Sequence, residues 1–80
     1  MLDTEILSRL QPVFRDTFDD EELVISGDMS AGDIEDWDSL SNVRLMIAIE
    51  VEFDIRIKAS EVVNLNSIDL LVELVASKLQ

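Results

Sequence analysis

The stretch Asp36-Trp37-Asp38-Ser39-Leu40-Ser41-Asn42-Val43-Arg44-Leu45-Met46-Ile47-Ala48-Ile49-Glu50-Val51-Glu52-Phe53 organises the chain. Wound as a helix at about 100° per residue, Leu45, Met46, Ile49 and Phe53 gather within about 100° of arc. Leu40, Val43, Ile47 and Val51 gather on nearly the opposite side. A surface helix ordinarily turns one apolar stripe to the core and keeps the rest polar. Two stripes mean that one is core and the other meets a second surface. Asp38 stands where an N-cap is expected, so the helix starts at Ser39. The Ser39 hydroxyl is then exposed at the positive end of the helix dipole, where free N–H groups favour an attached anion.

On the N-terminal side, Ile6, Leu7, Leu10, Val13, Phe14 and Phe18 recur at three- and four-residue spacing. They predict a first helix from Asp3 or Thr4 to about Phe18. Pro12 falls inside it, removing one N–H and crowding the turn before, so a kinked single helix is preferred to a break near Leu10-Gln11. Residues 22–37 hold both glycines and several turn-forming Asp and Ser residues, and read as a long loop. Its apolar members, Leu23, Val24, Ile25, Met29, Ile34 and Trp37, are expected to pin it to the helices. On the C-terminal side, Ile55-Arg56-Ile57 alternates as an extended segment, and 58–64 reads as a short helical turn carrying Val62 and Val63. Asn66 or Ser67 caps a last helix whose buried stripe is Ile68, Leu71, Val72, Val75 and Leu79, with Asp69 and Lys78 placed to suit its dipole. These elements predict an all-α fold. It is a small four-helix bundle of three main helices and one short one, with a long loop between the first two, in a single domain over 1–80.

The chain has no Cys and no His, so it brings neither a thiol nucleophile nor the commonest general base and metal ligand. Both absences argue against an enzyme and leave no catalytic residue to name. Net charge is −12, and between Arg15 and Arg44 there are ten acidic side chains and no basic one. That field repels nucleic acid and anionic membrane and speeds encounter with basic protein surfaces. Asp19-Asp20-Glu21-Glu22 fits no register of the calcium-loop spacing and reads as a solvated loop rather than a metal site. No apolar run approaches a membrane span, and Met1-Leu2-Asp3-Thr4-Glu5 does not read as a signal peptide. A cytoplasmic monomer that does not insert into membranes is expected.

Asp38-Ser39-Leu40 resembles the Asp-Ser-Leu attachment signature of acyl carrier proteins, and the helix behind it resembles that family's recognition helix. Length, charge and helix order extend the resemblance over nearly the whole chain, and the family crosses its bundle with just such a long loop. The resemblance implies that Ser39 receives 4′-phosphopantetheine from coenzyme A on a phosphopantetheinyl transferase. The arm's thiol then carries an acyl group as a thioester, and the carrier itself catalyses nothing. It implies Asp38 as a supporting residue beside the attachment point, assisting the transferase's metal; the N-cap role is compatible with that. Partners are acyl-loading and acyl-transfer enzymes with basic docking surfaces. They would meet the outward stripe of Leu40, Val43, Ile47 and Val51, unless the loop over 22–37 covers it, together with Arg44 and with Glu50 as a mate for a partner's Arg or Lys. The inward stripe, with Val62, Val63, Leu71 and Val75, would part for an acyl chain.

Four features depart from the fatty-acid carrier pattern. Ser41 and Asn42 follow the tripeptide where an acid is common, and Arg44 stands where an acidic docking residue is usual. Val51 interrupts what is usually a run of glutamates, and Trp37 directly precedes Asp38. These features resemble carriers of specialised pathways rather than the housekeeping one. Two alternatives stand beside that reading: a carrier of aminoacyl or peptidyl units, and an acidic helical interaction module that is never modified.

Overall fold

The computed structural model describes residues 2–62 and 65–79 of the chain. Its helices are α1 (Asp3–Thr17), α2 (Ser39–Phe53), α3 (Ala59–Val62) and α4 (Ile68–Lys78), with a 3-10 turn at Ala31–Asp33 in the loop before α2. This is the all-α bundle of three main helices and one short one that the periodicity predicts. Val63 and Asn64, expected in the short helix, lie outside the described residues.

α1 forms because Ile6, Leu10, Val13 and Phe14 align on one face, and all four are buried. The helix runs unbroken through Pro12. Ser8 and Pro12 are both exposed, so the carbonyl that loses its intrahelical donor faces water, which can solvate it. α1 packs against α2 and α4, and α3 against α2. From α2 the core takes Leu45, Met46, Ile49 and Phe53, and from α4 it takes Ile68, Leu71, Val72 and Val75. Leu79, assigned to the same stripe, is half-buried at the end of α4. Ser67 caps α4, its Oγ accepting from the Leu70 N–H at 3.3 Å.

The loop before α2 carries its own core residues, Ile25, Ile34 and Trp37, all buried, with Leu23 and Met29 half-buried. Val24 departs from expectation, being 66% exposed. The cause lies in how the loop is held. The Gln11 amide donates to the Leu23 carbonyl at 2.6 Å and accepts from the Ile25 N–H at 3.0 Å, and Arg15 Nε adds a second bond to Leu23 at 2.7 Å. These bonds pin the backbone of the segment; Leu23 and Ile25 turn inward, and in an extended segment the residue between them faces away. Farther along, Ala31 N–H donates to the Asn66 carbonyl and Ile68 N–H to the Met29 carbonyl, at 2.8 and 2.9 Å. This short antiparallel bridge between Ser30 and Ser67 ties the loop to the start of α4.

Both α1 and α2 end on an aspartate in the left-handed region, Asp19 with φ 50° and Asp54 with φ 53°. After α2 the Ile55 N–H reaches back to the Glu50 carbonyl at 3.2 Å, closing the helix. Only glycine takes that backbone conformation without a steric penalty. Asp54→Gly is expected to stabilise the fold, because it removes a left-handed penalty of about 1–2 kcal/mol and gives back only part of it through glycine's greater freedom in the unfolded chain. Urea titration checks this through a higher midpoint at unchanged slope. A lowered midpoint would show that the aspartate side chain outweighs the backbone term.

Candidate functional site

The start of α2 is built by Trp37, Asp38 and Ser41, each with a separate job, around Ser39. Trp37 is buried, in an edge-to-face contact with the Phe14 ring at a centroid distance of 5.4 Å, and its backbone N–H donates to the Ile34 carbonyl at 3.1 Å. This fixes where the helix begins relative to α1. Asp38 is extended (φ −124°, ψ −174°), and its Oδ1 accepts from the N–H groups of Leu40 and Ser41, at 3.0 and 2.9 Å. In return Ser41 Oγ accepts from the Asp38 N–H at 2.9 Å and donates to the Asp36 carbonyl at 2.7 Å. The reciprocal pair is a capping box with serine in the place usually held by Glu or Gln. Ser39 takes no part in it. Its side chain is exposed, and the bonds that finish the helix end are made by its neighbours.

The cap alters one expectation. The N–H groups of Leu40 and Ser41 are already committed to Asp38, so they are not open to an anion on Ser39. Among the described residues, the Ser39 backbone N–H is the one left at the first turn for such a group. The Ser41 N–H above all holds the Asp38 carboxyl below its ordinary value; desolvation opposes it, and the Ser41 hydroxyl and the Leu40 N–H add to the lowering.

Beside Ser39 lies an open hollow of about 420 Å³ between the start of α2, the 3-10 turn and α3. Its walls are mostly apolar, from Ala31, Trp37, Val62 and Leu65, with Asn42 as a polar group on the α2 side. Trp37 Nε1–H donates to Asn42 Oδ1 at 2.8 Å. Trp37, Asn42, Ala31 and Leu65 were not among the site residues expected from the sequence. The spacing held a signal for Asn42, since three residues after Ser39 it shares Ser39's helix face.

The outward stripe is open. Leu40 is 78% exposed, Val43 52%, Ile47 56% and Val51 78%, so the loop over 22–37 leaves them uncovered. The two charged residues expected beside them have intramolecular contacts. Arg44 Nη2 donates to the Thr17 carbonyl at 3.1 Å, at the C-terminal end of α1, where a cation also meets the negative end of that helix's dipole. Glu50 is half-buried, and its Oε2 accepts from the Ile57 N–H at 2.8 Å, which leaves its other oxygen for contacts outside. Leu45, Met46, Ile49, Phe53, Leu71 and Val75 fill the core, whereas Val62 lines the hollow. Val63 lies outside the described residues. No group of three metal-ligating side chains occurs among the described residues, and no described helix is long and apolar enough to cross a membrane.

The cap sets a pH dependence whose sign follows from the lowered Asp38 value. A carboxyl that is more acidic in the folded state than its ordinary value of 3.8 contributes stability above that value, and the contribution is lost as pH falls through the folded value. Thermal melts from neutral pH into the acid range are expected to fall more steeply below about pH 4 for the native protein than for Asp38→Asn, which keeps an acceptor but does not titrate. Parallel acid limbs for the two proteins would remove Asp38 from the account. Asp38→Ala, lacking the acceptor, is expected to melt several degrees lower at neutral pH.

No family model matches the chain, and neither does any curated protein. Among solved structures, the chain is similar to the holo acyl carrier protein of Geobacter metallireducens, determined by solution NMR. The two are 39% identical with a TM-score of 0.83, over 92% of this chain and 85% of the other. A shared fold at that identity, over nearly the full length of both, together with the capped helix start behind Ser39, shows that the chain belongs to the acyl carrier protein family.

Proposed function

We propose that Ser39 is the attachment point of 4′-phosphopantetheine and that the protein carries acyl thioesters between enzymes of a specialised pathway. The observation that carries this reading is the exposed Ser39 hydroxyl at a helix start completed without it. The neighbourhood suits the group: the Ser39 N–H and the positive end of the α2 dipole favour a phosphodiester, and an apolar hollow lies alongside. In the modification the Ser39 oxygen forms a bond to the phosphorus that carries the pantetheine arm, and the pyrophosphate bond of coenzyme A breaks. The adenosine bisphosphate half leaves, and the Ser39 proton passes to a base on the phosphopantetheinyl transferase. When bound, the arm supplies the thiol that this Cys-free chain lacks. Asp38, ionised at neutral pH, keeps Oδ2 outside the cap and so remains able to assist the transferase's metal.

The protein thus acts as a carrier and not as a catalyst, cytoplasmic and monomeric. Leu40, Val43, Ile47 and Val51 form its docking stripe, and acyl-loading and acyl-transfer enzymes approach through basic surfaces drawn by the charge of −12. The specialised pathway is supported by Arg44 and Val51. An enzyme that expects carboxylates at those positions meets a cation and a branched apolar side chain instead, and like charges at a docking interface cost several kcal/mol.

Intact-protein mass spectrometry after incubation with coenzyme A and a broad phosphopantetheinyl transferase tests the attachment. The native chain is expected to gain one phosphopantetheine and Ser39→Ala none. An unchanged mass with several competent transferases would refute the carrier reading and favour an unmodified interaction module.

The modified protein then tests the specialisation. It is expected to be a poor substrate for a general fatty-acid ketoacyl synthase, by about tenfold or more in kcat/KM if one unfavourable contact costs 1.4 kcal/mol. Arg44→Glu with Val51→Glu is expected to recover part of that loss and to weaken transfer by the protein's own loading enzyme. Because Arg44 also holds the end of α1, the melting temperature of the double variant is measured alongside. Native protein that already serves the synthase as well as a standard carrier would overturn the specialisation.

A further inference from the structure

The charge beside the outward stripe differs from one end of α2 to the other. At the Ser39 end stand Glu35, Asp36 and Asp38, all exposed. They close the run of ten acids between Arg15 and Arg44 that holds no base. Arg44, the nearest cation, is turned to the Thr17 carbonyl at 3.1 Å. At the other end the chain leaves α2 through Ile55-Arg56-Ile57-Lys58-Ala59-Ser60, which holds two bases and no acid. The Ile57 N–H donates to Glu50 Oε2 at 2.8 Å, so this link runs beside the C-terminal half of α2. Glu50 adjoins Val51 and shares a helix face with Ile47, so the link borders the stripe. Ile55 and Ile57 are half-buried, and alternation in the extended link leaves Arg56 and Lys58 exposed.

Most acids near those two bases are already engaged. Glu52 pairs with Arg9 at 3.0 Å, and Glu61 pairs with Lys78 at 2.9 Å while accepting from the Lys58 backbone N–H at 2.9 Å. Glu50 spends one oxygen on Ile57, and Asp54 is exposed at the end of α2. The Arg56 guanidinium makes no hydrogen bond or ion pair among the described residues. The two ends are separated by the 15 residues of α2, about 20 Å at 1.5 Å per residue. That is more than twice the screening length of about 8 Å in physiological salt, so a partner meets each end separately.

We infer that the stripe is polarised and takes a partner surface of matching order: basic where it faces the Ser39 end, apolar along the middle, and acidic where it faces Arg56 and Lys58. The inference rests on the stripe as the docking surface and goes beyond it by stating the charge order of the partner's face. A uniformly basic surface is drawn to the Ser39 end but meets two like charges at the other. A uniformly acidic one has the reverse difficulty, and only the ordered surface suits both ends. The guanidinium of Arg56 can grip a carboxylate with two parallel bonds, and Lys58 adds a second cation on a flexible stem. The order also sets a direction along α2, so that Ser39 always faces the basic end of the partner.

A synthetic helical peptide of about the length of α2 serves as the probe, with leucines along one face, arginines in its first turn and glutamates in its last. A nitroxide on the arginine end broadens the NMR signals of whatever lies near it, so the direction of binding is read directly. Bound to the native chain, it is expected to broaden the backbone amides of Ser41 and Val43 roughly threefold or more above those of Ile55 and Ile57. Arg56→Glu with Lys58→Glu is expected to bring that ratio to about one, because both ends of α2 then attract arginine. Arg56→Gln with Lys58→Gln removes the two cations without adding charge beside Glu61, and is expected to lower the ratio part of the way. Equal broadening at both ends of the native chain overturns the polarity and leaves the docking stripe standing. A ratio that is the same in the native chain and in both double variants overturns the role of Arg56 and Lys58. A peptide that shifts no signal of Leu40, Val43, Ile47 or Val51 overturns the stripe and the polarity together.

Discussion

The two hydrogen bonds from Leu40 and Ser41 N–H to the Asp38 carboxylate are the interaction on which the rest of the site depends. A helix end exposes donors that must be satisfied, and any nearby oxygen competes for them. If Asp38 did not take them, the Ser39 hydroxyl would be the next oxygen available, and it would be drawn into the cap instead of standing clear. The Ser41 side chain completes the arrangement from the other direction by binding the Asp38 N–H and the Asp36 carbonyl. Serine at position 41 therefore suits the cap in a way that an acid would not. A carboxylate there could accept from Asp38, but it could not donate to Asp36.

The same cap sets the rotation of α2, and that rotation decides which of its two apolar stripes is which. With Trp37 wedged against Phe14, the helix starts in a register that turns Leu45 and Ile49 fully into the core and leaves Leu40 and Val51 at the surface. A long loop has to hold Trp37 in place, although a loop lacks the internal hydrogen bonds of a helix or sheet. Side chains and distant backbone supply them: the Gln11 amide spans Leu23 and Ile25, Arg15 adds a bond, and the bridge at Ser30 and Ser67 ties down the far end. Gly27 belongs to this set, because a Cβ there would come within 2.8 Å of the Asp69 carboxylate at the start of α4.

Charge is distributed by the same logic. Of the six basic side chains, four serve as internal ties. Arg9 pairs with Glu52 and lies over the Phe53 ring, Lys78 pairs with Glu61, and Arg15 and Arg44 donate to loop and helix carbonyls. The acids far outnumber these ties, so an excess of carboxylates dominates the outward field. Exposed ion pairs such as Arg9–Glu52 add little stability by themselves, but they join elements remote in sequence and consume the cations that would otherwise dilute that field.

The sequence by itself determined whatever depends on neighbours a few residues apart. The 3.6-residue recurrence located α1, α2 and α4; Asp38 and Ser67 marked two starts; and Asp38-Ser39-Leu40 singled out Ser39 as the proposed attachment point. These are local effects, settled by helix geometry and capping within one or two turns. Residues that meet from opposite ends of the chain were decided only by the tertiary structure. The periodicity of α2 marked two stripes but not whether the loop would leave the outward one open, and nothing local marks Arg44 for the Thr17 carbonyl or Gln11 for the Leu23 and Ile25 backbone. Val24 is exposed for the same reason: its hydrophobicity argues for burial, but Gln11 pins the extended backbone around it, and alternation turns it out between the inward Leu23 and Ile25. Nothing local marks Asn42 as the acceptor of the Trp37 indole N–H, because that pairing depends on Trp37 being buried. An amide acquires a direction only when a donor-only partner is held rigidly beside it, and that rigidity comes from packing against a helix more than twenty residues away.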